Sequence, residues 1–417
     1  MSARTNLVFV LLAVFVFLSA TSTADAVNGA LQVENGQRIL RLWGNHFEMG
    51  YAHGFLMAGE IVRLVDEYFI GVQWQPWTYT HTIRPTVEEF FVLPPEYQEE
   101  LEAMLKGIVD SGVSTYLESV ERDLDLLDLH TANCYLDFLH WLCSSVSAWG
   151  EMTEDDPLLA GATAIVRNFE YPLGPDALLA VYSLLIAFDP SSPDEKQWVS
   201  VTWPGIIGCV SCMNEDGIGH TMNSGDNILP ADPEPQSVTS LWLTIRDAIE
   251  NIDENGDGRE SVDDVIYAID RDQRLGGTLA HIFSPFEIGQ KQDPVVLVES
   301  DFYNYVIRRG TNNLDCQRYI YSEHCLAVMN QSRLLHGCRT ADGRYAKMAD
   351  SLNAGLHVDT EKLWRMERVI SYPTTVQAML FRPNLRDLLV AFGDSVDTNA
   401  FDCPRVHWTW DALFPPR

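Results

Sequence analysis

The segment Cys143-Ser144-Ser145-Val146-Ser147-Ala148-Trp149-Gly150, followed by Arg167-Asn168-Phe169-Glu170, sets a thiol upstream of a cation and an anion. The apolar run Tyr135-Leu136-Asp137-Phe138-Leu139-His140-Trp141-Leu142 stops at the cysteine. Small, β-tolerant residues then take over, which predicts a core strand beginning at Cys143. If the Leu142-Cys143 peptide bond were cut, the new α-amine would lie beside the sulfur. With a reference pKa of ~7.7–8.0 it could take the thiol proton near neutral pH. One residue would then hold both nucleophile and base. Arg167 close to the sulfur would favour thiolate over thiol, and Glu170 is suited to hold the new amine or the Arg167 side chain. The alternatives are an inert buried thiol and a structural ion pair.

Several further blocks recur in a fixed order. Gly44-Asn45-His46-Phe47-Glu48-Met49-Gly50-Tyr51-Ala52-His53-Gly54 opens the series, and the Cys143 and Arg167 segments follow. Then come Trp203-Pro204-Gly205-Ile206-Ile207-Gly208, Met213-Asn214-Glu215-Asp216-Gly217 with Asn223, Ala327-Val328-Met329-Asn330, and Gly343-Arg344-Tyr345. In order and spacing these resemble the acyl-coenzyme A:6-aminopenicillanic acid acyltransferase family of N-terminal-nucleophile hydrolases, over roughly residues 40 to 395. The resemblance implies an α+β fold of the four-layer αββα sandwich type. It implies self-cleavage of Leu142-Cys143 by an N-to-S acyl shift, followed by attack of Cys143 on a small acyl-amide substrate through a thioester. It matches Asn223 and Asn330 to the asparagines that contact the oxyanion and the amine, where losing one oxyanion donor typically costs ~2.7–4 kcal/mol. Arg344 is matched to a substrate-binding or structural arginine, while Asn214 shapes a turn. Two departures stand out: many relatives have Gly where this chain has Leu142, and Asp where it has Glu170. They leave open a second reading, a catalytically silent member of the fold that serves as a calcium-stabilised binding or surface protein. Asn330-Gln331-Ser332 is also an N-glycosylation sequon, and a closed catalytic asparagine could not carry a glycan.

A separate signal is Asp253-Glu254-Asn255-Gly256-Asp257-Gly258-Arg259-Glu260-Ser261-Val262-Asp263-Asp264. Its register follows a helix-loop-helix calcium loop, with Asp253, Asn255, Asp257, Arg259, Ser261 and Asp264 at the ligand positions and Gly256 at the turn. Asp264 replaces the usual Glu and Glu260 stands where an apolar residue packs, so an acidic helix connection is the alternative. Any such calcium would be structural, and no cofactor is expected for catalysis. Cys209-Val210-Ser211-Cys212 lacks the second ligand pair of a metal site.

The elements must carry this chemistry on a chain of 417 residues, 46% apolar, with a formal net charge of -31. Such an acidic balance with so few lysines excludes nucleic acid as a partner. Arg4, the apolar run Leu7 to Ala20 and Ala24-Asp25-Ala26 read as a signal peptide over residues 1–26. The mature chain is therefore expected to be secreted or periplasmic, with no stable membrane insertion. Eight cysteines fit export, although with Cys143 set aside the other seven, Cys134, Cys209, Cys212, Cys316, Cys325, Cys338 and Cys403, give no readable pairing. Residues 27–142 read as a mostly helical segment, from amphipathic patterns at 45–70 and 97–142, with Trp74 to Pro95 an irregular packed loop. Its aromatics Trp74, Trp77, Tyr79, Phe90 and Phe91 could line a pocket for a fatty or aromatic acyl group, or simply fill a core. Residues 143–417 read as the catalytic portion, with strands at 162–167, 178–187, 198–202, 206–213, 294–299, 325–329 and 388–392 and helices near 240–251, 261–270 and 342–353. After cleavage the two portions would remain partners as the α and β chains of one precursor.

Overall fold

Alternation along the strands sets the layers. In Leu184–Pro190, Leu184, Ile186 and Phe188 enter one apolar cluster, whereas Leu185 and Ala187 enter another. In Thr375–Arg382, Ala378 and Leu380 face one way and Met379 and Phe381 the other. Strands buried on both faces must be sandwiched, because successive side chains point to opposite sides of a sheet. The computed structural model describes residues 27–138, 142–225, 234–312, 318–337, 343–355 and 357–417. The proposed signal segment, Cys316 and Cys338 lie outside the described residues.

Two sheets form the centre. The larger has nine strands, in the order Gly29–Glu34, Gln37–Gly44, Leu184–Pro190, Trp198–Thr202, Ser211–Asn214, Gly219–Ser224, Thr278–Phe283, Val295–Ser300 and Tyr305–Arg308. The smaller has six, in the order Cys325–Val328, Leu142–Ala148, Ala164–Glu170, Thr375–Arg382, Asp387–Phe392 and Val406–Thr409. Leu185, Val199 and Phe283 of the first meet Ile165, Met379 and Phe381 of the second to make the inner core. Outside the large sheet lie the helices His46–Arg63, Pro95–Asp110, Leu241–Glu250 and Val262–Arg271. Outside the small one lie Gly343–Asn353 and Thr360–Ile370, through Tyr345, Met348, Leu363 and Ile370. The fold is thus the expected α+β sandwich of four layers.

Several expectations need correction. Residues 27–142 do not form a helical unit apart from the sheets. The hairpin Gly29–Glu34/Gln37–Gly44 is an edge of the large sheet, and its second strand pairs in parallel with Leu184–Pro190. Trp74 to Pro95 is not irregular: it winds through short helical segments, Pro76–Thr78, Tyr79–Ile83 and Arg84–Phe90, two of which have proline in the first turn, where it is tolerated. The pattern at 97–142 is interrupted by the small hairpin Tyr116–Leu117/Arg122–Asp123. The run 178–187 begins as the helical turn Leu178–Val181, and 206–213 is strand only from Ser211. Thr278–Phe283, Thr375–Arg382 and Thr360–Ile370 were not anticipated.

The helices His46–Arg63 and Pro95–Asp110 pack backbone to backbone. A Cβ at Gly50 or Gly54 would collide with the carbonyl oxygens of Glu100 and Met104. The opening block is thereby fixed beneath the large sheet. Its His53, fully buried, accepts the Gly205 N–H at Nε2 (2.9 Å). Asn133 donates to Gly205 O (2.9 Å) and accepts from Ile207 N (2.9 Å). Trp203 of the same turn packs on Phe169, ring centroids 4.7 Å apart, beside the strand that begins at Leu142. Among the described residues no helix is long and apolar enough to cross a membrane.

Candidate active site

Cys143 lies at the second residue of Leu142–Ala148 and is 1% exposed. Its antiparallel neighbour, Ala164–Glu170, pairs Cys143 with Phe169 and Ser145 with Arg167. Cys143 and Ser145 share the face that looks toward the large sheet, while Ser144 looks toward the outer helices. On the inner face, Arg167 Nη2 approaches Cys143 Sγ at 3.7 Å and donates to Met222 O at 2.7 Å. Its Nε and Nη1 have no hydrogen-bond partner among the described residues, and the residue is fully buried. Burial lowers the Arg167 pKa from its ordinary value.

The nitrogen of Cys143 has its own partner. Its N–H donates to Asn330 Oδ1 at 3.0 Å, and Arg344 Nη2 donates to the same oxygen at 2.7 Å. Arg344 Nη1 then reaches Glu170 Oε2 at 3.2 Å. Glu170 Oε1 accepts from Asn168 Nδ2 (3.1 Å), Tyr372 N and Thr375 Oγ1 (3.2 Å). Asn168 Oδ1 in turn accepts from Ser144 N at 2.7 Å. The amide groups on both sides of Cys143 are therefore each held by an asparagine, and the two asparagines are joined through Arg344 and Glu170. Glu170 does not hold Arg167, as one of the sequence-based expectations had it. Its carboxylate points outward to Arg344, and Arg344 is a positioning group in this structure. Burial pushes the Glu170 carboxyl up to about 7, against its hydrogen-bond donors and the two arginines.

Arg167 pulls the Cys143 thiol pKa down, but burial outweighs it and the net direction is up from the ordinary value. Arg167 thus pulls toward the thiolate in the expected direction, and in the uncut chain burial is the larger effect. In that state the Cys143 nitrogen is an amide and supplies no base.

Asn223 is brought to the same face but to a different partner, since its Nδ2 donates to Ser145 Oγ at 3.0 Å. Its Oδ1 is buried without a partner. The two ends of an amide are interchangeable in assignment, so one terminus of Asn223 is left over, two residues along the strand face from the sulfur. Ser145 and Ser147 also clasp His281 across the inner core, at 2.8 and 3.0 Å, and burial lowers that imidazole's pKa to about 3. Asn330 donates from Nδ2 to Ser224 O at 3.3 Å, so both ends of its amide are engaged in the site. That arrangement favours the amine-contacting reading of Asn330 over the glycan.

Two features were missed in the sequence. Glu299 Oε2 collects Ser332 Oγ and the N–H groups of Arg333, Leu334 and Leu335 at 2.7–3.0 Å, fixing the loop that follows Asn330. Glu367, fully buried on Thr360–Ile370, meets Ser144 Oγ at 2.7 Å. Its signal is legible in retrospect: a carboxyl on a helix face shared with Leu363, Trp364 and Ile370. Cys209 and Cys212 form a disulfide, which settles that pair, while Cys134, Cys143 and Cys403 are in no disulfide among the described residues.

The aromatic candidates separate. Trp74 packs among Phe69, Tyr79, Tyr135 and Phe138, and Phe91 lies against Phe138. Trp77 is exposed and stacked on His81. Tyr135 reaches Tyr171, the residue after Glu170, with ring centroids 6.1 Å apart. An aromatic wall therefore runs from Trp74 to the site, and Trp77 lies outside it.

The acidic loop sits between Leu241–Glu250 and Val262–Arg271. Asp253 Oδ2 accepts from Gly258 N, Asn255 Oδ1 from Asp257 N, and Asp257 Oδ1 from Arg259 N, at 2.8–2.9 Å. Asp264 accepts from Asn255 N and Ser261 N, and Ser261 caps the second helix. Glu260 pairs with Lys196, which explains a charge at a position that usually packs.

No family model matches the chain. Among curated proteins it is 26% identical over 245 residues to an uncharacterized protein of Archaeoglobus fulgidus, covering 54% of this chain and 38% of that one. It is 25% identical over 214 residues to Protein dcd1B of Dictyostelium discoideum, covering 45% and 39%. The chain thus spans under two fifths of the length of these relatives. Among solved structures it is similar to a Caenorhabditis elegans N-acylethanolamine-hydrolyzing acid amidase ortholog, with 15% identity, TM-score 0.41 and coverage of 64% of this chain and 99% of that one. It is also similar to penicillin V acylase from Agrobacterium tumefaciens, with 10% identity, TM-score 0.40 and coverage of 65% and 88%. A conjugated bile acid hydrolase from Clostridium perfringens gives 9% identity, TM-score 0.34 and coverage of 65% and 97%.

Proposed function

We propose that this chain is an exported, self-processing cysteine amidohydrolase or acyltransferase of the N-terminal-nucleophile type, acting on linear non-peptide amides. The observation that carries the reading is the separate holding of sulfur and nitrogen on one residue. Cys143 Sγ faces Arg167, while Cys143 N is held by Asn330. In the uncut chain, Sγ attacks the Leu142 carbonyl carbon as the C–N bond breaks and the Cys143 nitrogen takes the thiol proton. Water then hydrolyses the thioester, leaving a Leu142 carboxylate and a free Cys143 α-amine.

In the processed protein the α-amine takes the thiol proton, and the thiolate attacks the substrate carbonyl. Arg167 stabilises the forming sulfur anion, and Asn223, with its amide turned so that Nδ2 rather than Oδ1 is the unengaged end, is suited to donate to the oxyanion. As the substrate C–N bond breaks, the leaving amine takes the proton back. Water or a second amine accepts the acyl group from the thioester. An apolar acyl chain suits the wall formed by Tyr135, Tyr171 and Trp74. The loop at 253–264 is proposed to hold a structural calcium ion remote from this chemistry.

The test is intact-mass analysis of purified wild-type and Cys143→Ala proteins, with a panel of acyl amides. The wild type is expected as two fragments joining at 142/143 and to turn over apolar acyl amides. Cys143→Ala is expected as one chain without activity. An uncut wild-type chain that also resists thiol-acylating probes would sink the reading.

A further inference from the structure

Among the described residues, buried carboxyls have cations or several donors, with one exception near the nucleophile. Glu100 has Arg246 and His46, and Glu170 has Arg344 and three further donors. Glu367 is fully buried, and among the described residues its carboxyl hydrogen-bonds only the Ser144 hydroxyl and leaves Oε1 without a hydrogen-bond partner. An ionised carboxylate so placed would have no directly paired cation, and burying an unpaired charge is among the costliest arrangements in a protein. A neutral carboxylic acid is not, because it can donate one hydrogen bond and accept another.

Ser144 is the residue after Cys143, and its two polar groups are held from opposite directions. Its N–H goes to Asn168, which is linked to Glu170, and its hydroxyl goes to Glu367. We propose that Glu367 is a positioning residue of the nucleophile strand, which holds Ser144, and through it the Cys143 peptide, only while it carries its proton. This rests on Cys143 being the nucleophile. The charged groups around Glu367 are Glu170 and Arg167 from Ala164–Glu170 and Arg344 from Gly343–Asn353. Loss of the Glu367 proton would set a second anion beside Glu170 and compete with it for Arg344, the link that holds Asn330 on the Cys143 nitrogen.

Burial raises the Glu367 carboxyl to about 8, against Ser144, Arg344 and Arg167. Two consequences follow from the sign. Between the ordinary carboxyl range and about 8 the folded chain holds a proton that the unfolded chain has released, so stability falls as pH rises through that window. Above it the positioning is lost. One pH unit above its pKa a group is about nine-tenths deprotonated, so the rate should fall by roughly tenfold there.

The experiment compares wild type with Glu367→Gln, which is isosteric and permanently neutral, and with Glu367→Ala. Self-cleavage and amide turnover are followed from pH 6 to 9.5, and thermal midpoints from pH 5 to 9. Glu367→Gln is expected to keep its pH 7 rate within a few-fold and to lose the alkaline fall, while Glu367→Ala is slow at every pH. The midpoint of Glu367→Gln relative to wild type is expected to rise between pH 5 and 8. An alkaline limb unchanged in Glu367→Gln, or a midpoint difference flat with pH, overturns the inference and leaves the Cys143 reading intact. Should Cys143→Ala cleave and turn over like wild type, that reading fails instead, and the midpoint comparison still decides whether Glu367 is held neutral.

Discussion

Two buried arginines lie in different layers of the same sandwich, Arg246 between the large sheet and its helices and Arg167 between the two sheets, and their surroundings differ in kind. Arg246 meets Glu250 at 2.8 Å and Glu100 at 2.7 Å, and lies over the rings of Tyr97, Phe188 and Trp198 at 4.6–5.2 Å. Its charge is compensated, and the neighbouring carboxylates hold its pKa well above the ordinary value. Arg167 is as deeply buried and also lies over a ring, that of Phe169 at 5.0 Å, but its polar contacts are one carbonyl and one sulfur, with no carboxylate ion pair among the described residues. The first arrangement ends a network. The second leaves a cation without a paired anion, and among the described residues the group in contact with it that can become one is the Cys143 thiol, while Glu170 and Glu367 act on it only at longer range. A buried ion pair is weak evidence of function, whereas an unpaired buried cation beside a thiol is a stronger pointer to it.

The contrast breaks most visibly at Arg167. Arg167→Met should lower amide turnover by on the order of 10²–10³-fold, the scale of one lost electrostatic stabiliser, with the thermal midpoint little changed because no carboxylate is stranded and only the Met222 carbonyl loses a donor. Turnover within threefold of wild type, measured per folded molecule, would place Arg167 with Arg246 as a structural charge. Arg246→Met should do the reverse. It strands Glu100 and Glu250 and is expected to cost ~3–5 kcal/mol in chemical denaturation, while the folded fraction keeps its rate. Adding Glu100→Gln and Glu250→Gln should recover part of that loss, and no recovery would show that packing rather than charge holds the cluster. The smallest effect is expected at the acidic loop. Calcium at 100 times its dissociation constant should stabilise by about 2.7 kcal/mol, a gain abolished in Asp253→Ala and without effect on rate. A midpoint indifferent to calcium and chelator would leave the loop a plain helix connection.

What the sequence revealed follows the same division. Trp198–Thr202 and the helices near 241–250 and 262–271 were readable because local patterning decides them. The hairpin at 29–44 was not, since its pairing with residues 184–190 is made at a distance along the chain. Cys143, Arg167, Glu170, Asn330 and Arg344 were named by type and order, and the structure brings them together. Which group each one touches was not legible: that Glu170 serves Arg344 rather than Arg167 depends on which face of a strand even-numbered residues take. Glu367 and Glu299 lie in no recurring block and could be recognised only as carboxyls in apolar surroundings.

The edge hairpin bears on what a nick between residues 142 and 143 would do. Residues 39–44 lie along residues 185–190 as neighbouring strands, and the opening helices cover the outer face of that sheet. Severing one bond would therefore release nothing. The two polypeptides would travel together through any native separation as a tightly clasped heterodimer, and would come apart only under denaturing conditions.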